Sequence, residues 1–177
     1  MSRVSGVDLM TEVLRISEAR GYSHYFYGST PETIGGMKKA ILHDYPKLNV
    51  KSYVSPPFRP LTNTEFKELV DEIDLLQPTF FWCGLGAPKQ EILISRLSKA
   101  VNSPTIFVGV GLAFNYLAGN VRRAPVWMQR CGLEGLYMNA QQPFRFRRFA
   151  KPLSLFVLIL AQACWRRCLR GSWENDD

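Results

Sequence analysis

Short apolar runs that close on glycine, each followed at once by a stretch with helical spacing, leave this chain few folds to adopt. From Tyr22 to about Gly119 the order reads strand, helix, strand, helix, strand, helix, strand. HYFYG (24–28) ends on Gly28; Ser29 and Thr30 then offer helix caps, and Pro31 suits a first helical turn. Ile34, Met37, Ile41 and Leu42 follow at helical spacing, until Pro46 disfavours helix in Tyr45. NVKSYV (49–54) alternates as a strand does, and SPPFRP is a loop. Thr62 or Asn63 caps a helix through Leu76, with Phe66, Leu69, Val70 and Ile73 on one face. TFFWCG (79–84) and TIFVGVG (105–111) have the apolar character of buried parallel strands. The helix between them starts near Pro88 and carries Ile92, Leu93 and Leu97. Such alternation predicts an α/β fold, a Rossmann-like parallel sheet flanked by helices. Four strands are few for a complete doubly wound sheet, so the sheet is expected to be incomplete on its N-terminal side.

After Gly119 the pattern changes to short helices joined at Gly132 and Pro143. Residues 1–120 are therefore expected to form the sheet domain, and 121–177 a helical, basic, membrane-proximal appendage. Charge follows the same division. The chain carries a net charge of +7, yet no acidic residue lies between Glu134 and Glu174. Arg145, Arg147, Arg148, Lys151, Arg166, Arg167 and Arg170 all fall there, which leaves the main body close to neutral. A local anionic partner is implied: phospholipid, nucleotide phosphate or nucleic acid. Nucleic acid is disfavoured, because the aromatic residues lie in strand-like runs instead of interleaving with the charges.

The stretch from Leu153 to Ala161 is apolar apart from Ser154 and is flanked by basic residues. It is too short for the roughly 20 residues that a membrane-spanning helix needs. Two readings stay open: a helix buried in the domain or in an oligomer interface, or one lying in a membrane surface. The flanking charges favour the membrane. Cys83, Cys131, Cys164 and Cys168 are scattered. Cys164 and Cys168 have one-turn spacing but no nearby histidine, so no metal site is expected. A reducing, cytoplasmic compartment fits them, and the opening MSRVSGVDLM has no apolar signal-peptide core.

Three stretches offer chemistry. In open α/β sheets ligands sit at the carboxyl ends of strands, where glycines admit a close backbone approach. GLGAPKQE (84–91) places Gly84 and Gly86 at such an end, with Lys89 and Gln90 in the next helical turn, within reach of a diphosphate or a sugar hydroxyl. A tight turn with a solvated lysine explains the same residues equally well. VGVGLAFNYLAG (108–119) repeats the arrangement through Gly109 and Gly111, with Asn115 a turn further on; close helix–sheet packing is the competing explanation. RRAP (122–125) adds Arg122 and Arg123 before a proline-initiated helix, suited to phosphate or simply to solvent.

Together, GxGxPKQE, VGVGxxFxxxAG, RAPxWMQxxGLE and a later QPxRxxRR, preceded by GVDLM and FYGSTPET, resemble the WecG/TagA/CpsF family of bacterial glycosyltransferases from about Arg3 to Phe149. The resemblance implies an inverting transfer of a hexose or N-acetylhexosamine-type sugar from a UDP-sugar to a lipid-diphosphate-linked glycan. It also implies work at the cytoplasmic face of the membrane in cell-envelope or exopolysaccharide synthesis, without a metal or other cofactor, and allows self-association. Gln90 then lies in the active-site pocket, and Gly28, Gly84, Gly86, Lys89, Gly109, Gly111, Asn115 and Arg123 line the substrate site. Arg145 and Arg148 correspond to appendage arginines that close over the diphosphates.

The chain departs from the family pattern in three places. Family chains carry a segment ahead of the GVDLM equivalent that includes the aspartate assigned as general base. This chain begins at that point, so the base is expected to be absent, and Asp8 is the local motif aspartate, not its replacement. The usual aspartate after Phe114 is Asn115, and the family's GLEWLYR reads GLEGLYM, with Gly135 for tryptophan and Met138 for arginine. Three expectations follow: a transferase whose base comes from elsewhere, including a second subunit; a truncated, non-catalytic remnant that binds a UDP-sugar; or a membrane-associated scaffold of a polysaccharide-assembly complex.

Overall fold

The structure, a computed structural model, describes residues 4–125, 127, 128, 131 and 137. The chain divides into two compact units, Met1–Arg122 and Arg123–Asp177. In the first unit the elements run α1 (Gly6–Arg20), β1 (Ser23–Gly28), α2 (Pro31–Asp44), β2 (Asn49–Val54), α3 (Asn63–Leu76), β3 (Phe80–Gly84), α4 (Lys89–Ala100), β4 (Ile106–Gly109) and α5 (Ala113–Leu117). In the second, the Cys131 N–H donates to the Trp127 carbonyl at 3.0 Å. The stretch 153–161, Arg145 and Arg148 lie outside the described residues.

The four described strands form one sheet in the order β2-β1-β3-β4, and every pairing is parallel. The expected Rossmann-like α/β arrangement is what forms. In the two central strands successive side chains enter opposite cores, as the two-residue period of a strand requires. Phe26 and Trp82 face Met10 and Leu14 of α1, Met37 and Ile41 of α2, and Phe114 of α5. Tyr25, Tyr27, Phe81 and Cys83 face Leu69 and Ile73 of α3 and Leu93 and Leu97 of α4. Both faces are thus covered, which is why β1 and β3 read as continuous apolar runs. Between β1 and β2 the register slips by one residue after His24, so that Tyr25 pairs with Ser52 and Lys51 is the extra residue.

The local signals act where their chemistry predicts. Thr30 accepts from the Thr33 N–H and caps α2 with Pro31 in its first turn. Thr62 and Glu65 close a capping box on α3. Four details differ from the sequence reading. Helix α1 was not anticipated, although Ser5 and Asp8 form a reciprocal capping box and Met10, Leu14 and Ser17 recur on its buried face. Leu42 and Ile92 are 58% and 59% exposed, because each sits one position off the stripe that meets the sheet. Strand β4 is an edge of the described sheet, not a strand buried on both faces, and Ile106 is 52% exposed there.

Candidate functional site

Strands β1 and β3 are neighbours, yet the chain leaves β1 towards β2 on one side and leaves β3 towards β4 on the other. Such a reversal of strand order opens a crevice beyond the carboxyl ends, the usual ligand position in open α/β sheets. Gly28 and Gly84 end the two strands and pair directly across the reversal.

These glycines have more than one physical reason. A Cβ on Gly28 would lie 2.7 Å from the Gly84 carbonyl carbon, at a φ of 133°. On Gly84 it would lie 2.5 Å from the Phe114 ring, and on Gly109 2.9 Å from Gln90 Nε2. At these three positions protein atoms fill the space that a side chain would need, so the close approach is internal. Gly86 differs: its φ is +77° and nothing lies within 4 Å of its Cβ direction. Gly111, at φ +52°, has only Gln90 Oε1 nearby, at 3.8 Å. Of these five glycines, Gly86 and Gly111 are the two whose Cβ directions protein atoms leave open.

Gln90 is buried in the first turn of α4 and joins two of the strand-end loops. Its Oε1 accepts from the Gly111 N–H at 3.0 Å, and its Nε2 donates to Glu91 Oε1 at 2.9 Å. The Gly111 N–H requires the amide oxygen on its side, so the amide orientation follows from the backbone. Lys89 is exposed one residue earlier, with Nζ 4.7 Å from the centroid of the Phe58 ring. Asn115 is half-buried on α5; its N–H donates to the Leu112 carbonyl and its carbonyl accepts from the Asn120 N–H. Arg123 is exposed and belongs to the second unit.

Glu91, Phe58 and the Thr33–Asn120 pair were not singled out from the sequence. Asn120 Nδ2 donates to the buried Thr33 hydroxyl at 3.0 Å and so ties the start of α2 to the chain after α5. Nothing in local spacing marks that pair, whose members are 87 residues apart. Asp8, by contrast, accepts from both the Ser5 N–H and its hydroxyl, a capping role that accounts for an aspartate at that position. Cys83 is buried and its thiol is pushed up to about 11, which makes it a packing residue and not a nucleophile. Among the described residues, no cluster of three or more His, Cys, Asp or Glu is placed to hold a metal, and no helix is long and apolar enough to cross a membrane.

A parallel sheet whose strand order reverses at two glycine-ended strands defines an α/β protein of the kind that generally takes ligands at its strand ends. More specifically, the chain belongs to the Glycosyl transferase WecG/TagA/CpsF family, whose family model it matches over residues 1–169. It is 28% identical over 175 residues to the N-acetylglucosaminyldiphosphoundecaprenol N-acetyl-beta-D-mannosaminyltransferase of Bacillus subtilis (strain 168), covering 99% of this chain and 66% of that protein. The enzymes of the same name from Bacillus spizizenii and Staphylococcus aureus (strain MW2) are 29% and 27% identical, over 83% and 91% of this chain and 55% and 61% of theirs. The chain thus spans less than two thirds of the length of each.

Proposed function

We propose that this chain forms the sugar-nucleotide-binding part of an inverting glycosyltransferase. The reaction moves a hexose or N-acetylhexosamine-type sugar from a UDP-sugar to a lipid-diphosphate-linked glycan during cell-envelope or exopolysaccharide synthesis. The observation that carries the reading is the reversal of strand order beside Gly28 and Gly84, with the open backbone positions Gly86 and Gly111 and the exposed Lys89 on the turns beyond β3 and β4. Relatives named for N-acetyl-beta-D-mannosaminyl transfer to N-acetylglucosaminyldiphosphoundecaprenol support the kind of sugar moved and the acceptor class, and the UDP carrier is part of the proposal.

Within that reading the chain's residues have distinct tasks. Gly86 and Gly111 admit the diphosphate to the backbone, and the Lys89 ammonium offsets the charge that grows on the departing UDP. Gln90 holds the two loops at their spacing and presents its remaining amide valences to the sugar. Arg123, Arg145 and Arg148 remain candidate phosphate-binding groups on the family resemblance alone, and the basic C-terminal stretch is the part that docks on the anionic inner face of the membrane where the acceptor lipid lies. No cofactor or nucleic acid takes part.

A binding-only role is the second reading. It is favoured by Asn115, which cannot act as acid or base, and by Asp8, which is committed to the α1 cap. The two readings separate in one preparation. Calorimetry measures UDP affinity, while UDP release is followed with UDP-N-acetylmannosamine and N-acetylglucosaminyl-diphosphoundecaprenol. Release above a Lys89→Ala, Gln90→Ala control establishes transfer; binding without release establishes the second reading. UDP affinity unchanged in both single variants would remove the site assignment. Flotation with anionic liposomes that survives deletion of 149–170 would count against docking through that stretch.

A further inference from the structure

Phe58 is 96% exposed, an unusual state for a phenylalanine in a loop that is tied at both ends. At its start the Ser55 hydroxyl donates to the Ser29 carbonyl at 2.8 Å, which anchors the loop to the turn after β1. At its end the Arg59 guanidinium donates to both Glu65 carboxylate oxygens, each at 2.7 Å. Glu65 in turn accepts from the Thr62 N–H at 2.8 Å. These bonds, that of Arg59 foremost, hold the Glu65 carboxyl down at about 2, so the tie persists across the usual pH range. The loop leaves the end of β2, and β1 lies between β2 and β3 in the sheet. Phe58 nevertheless meets Lys89, the first residue of α4 beyond β3, with Nζ 4.7 Å from its ring centroid. A braced loop therefore carries an aromatic ring across the carboxyl-end rim to the one lysine of the GLGAPKQE turn.

A lysine on a flexible stem loses rotamer freedom when it binds an anion. An aromatic face within about 6 Å attracts its ammonium and limits that freedom beforehand. A ring contact on one side leaves N–H groups free to donate elsewhere. We infer that Phe58 is a positioning residue that holds the Lys89 ammonium at the crevice rim for the diphosphate of the ligand. The inference rests on the reading of the crevice as a sugar-nucleotide site and adds to it a residue outside the glycine-rich turns.

The test is a double-mutant cycle on the full chain, with UDP and inorganic pyrophosphate as probes. Phe58→Ala is expected to weaken UDP binding about two- to fivefold, the worth of an exposed cation–ring contact, without lowering the melting temperature. Phe58→Trp restores affinity, whereas Phe58→Leu, equally apolar but without a ring, does not. In a Lys89→Met background Phe58→Ala changes nothing further. An equal loss in that background means that the ring touches the ligand itself and overturns the positioning role. Tighter or unchanged binding by Phe58→Ala overturns it as well. A ligand-free measurement stands beside the cycle: in lysine-labelled protein the Lys89 ε-methylene resonance is shifted upfield by the ring and returns in Phe58→Leu. An unshifted resonance in the unmutated chain refutes the pair. If the unmutated chain binds neither probe, or Lys89→Met leaves binding intact, the crevice reading itself fails and the inference with it.

Discussion

Gln90 and His24 are both buried polar side chains, but of the two only His24 has a buried polar atom with no partner among the described residues. Replacing Gln90 by leucine nearly keeps the volume and removes the partner of the part-buried Gly111 N–H, a loss of about 1 kcal/mol. Urea denaturation should read it as a lower midpoint at unchanged slope. His24 accepts from Trp82 Nε1 through Nδ1 at 3.0 Å, so its proton sits on Nε2, which has no partner among the described residues. Burial pushes this imidazole down to about 4 from an ordinary 6.5. The unfolded chain therefore binds the proton first as pH falls, and stability depends on pH between those two values. The contribution is complete above about pH 6.5 and is lost as pH drops towards 4, on the order of 3 kcal/mol over that window. Protonation also turns Nδ1 into a donor facing the Trp82 N–H, which breaks their bond. In chemical denaturation at stepped pH, His24→Phe should flatten that slope relative to the unmutated chain.

Two adjacent glycines in α2 show how an element's neighbours decide a substitution. A Cβ on Gly35 meets nothing within 4 Å, so Gly35→Ala should stabilise by roughly 0.5–1 kcal/mol through helix propensity. A Cβ on Gly36 would lie 3.2 Å from the Ala118 Cβ and 3.3 Å from its carbonyl oxygen, just past the end of α5. Gly36→Ala should gain less than its neighbour or lose stability outright, as thermal melts of the two variants will compare. Gly84→Ala sits at the severe end. Its Cβ would meet the fully buried Phe114 ring at 2.5 Å, and overpacking of that kind costs typically about 1–3 kcal/mol. The capping signals of α2 and α3 were legible because they act within four residues. The α1 capping box was equally local, and Met10 and Leu14 recur at helical spacing behind it, so that helix was legible from the same kind of signal.

For the molecule as a whole, ligand linkage is the broadest check. If the crevice binds UDP in the folded state only, UDP at one hundred times its dissociation constant should add about 2.7 kcal/mol to stability, visible as a thermal shift. The shift should fall with added salt, because Lys89 is exposed and its field is screened. The sequence by itself determined the alternation of elements, the caps that start α2 and α3, and the placing of GLGAPKQE and VGVG at strand ends, since each depends on spacing within a few residues. It also carried the family, through motifs whose order survives at modest identity. Tertiary structure alone decided the rest. It made β4 an edge of the described sheet and β1 and β3 the neighbours at which strand order reverses, because strand order comes from crossovers and not from spacing. It separated the glycines that pack against protein at 28, 84 and 109 from those open at 86 and 111. It also brought Phe58 to Lys89, a contact made by a loop that sequence spacing marks only as irregular.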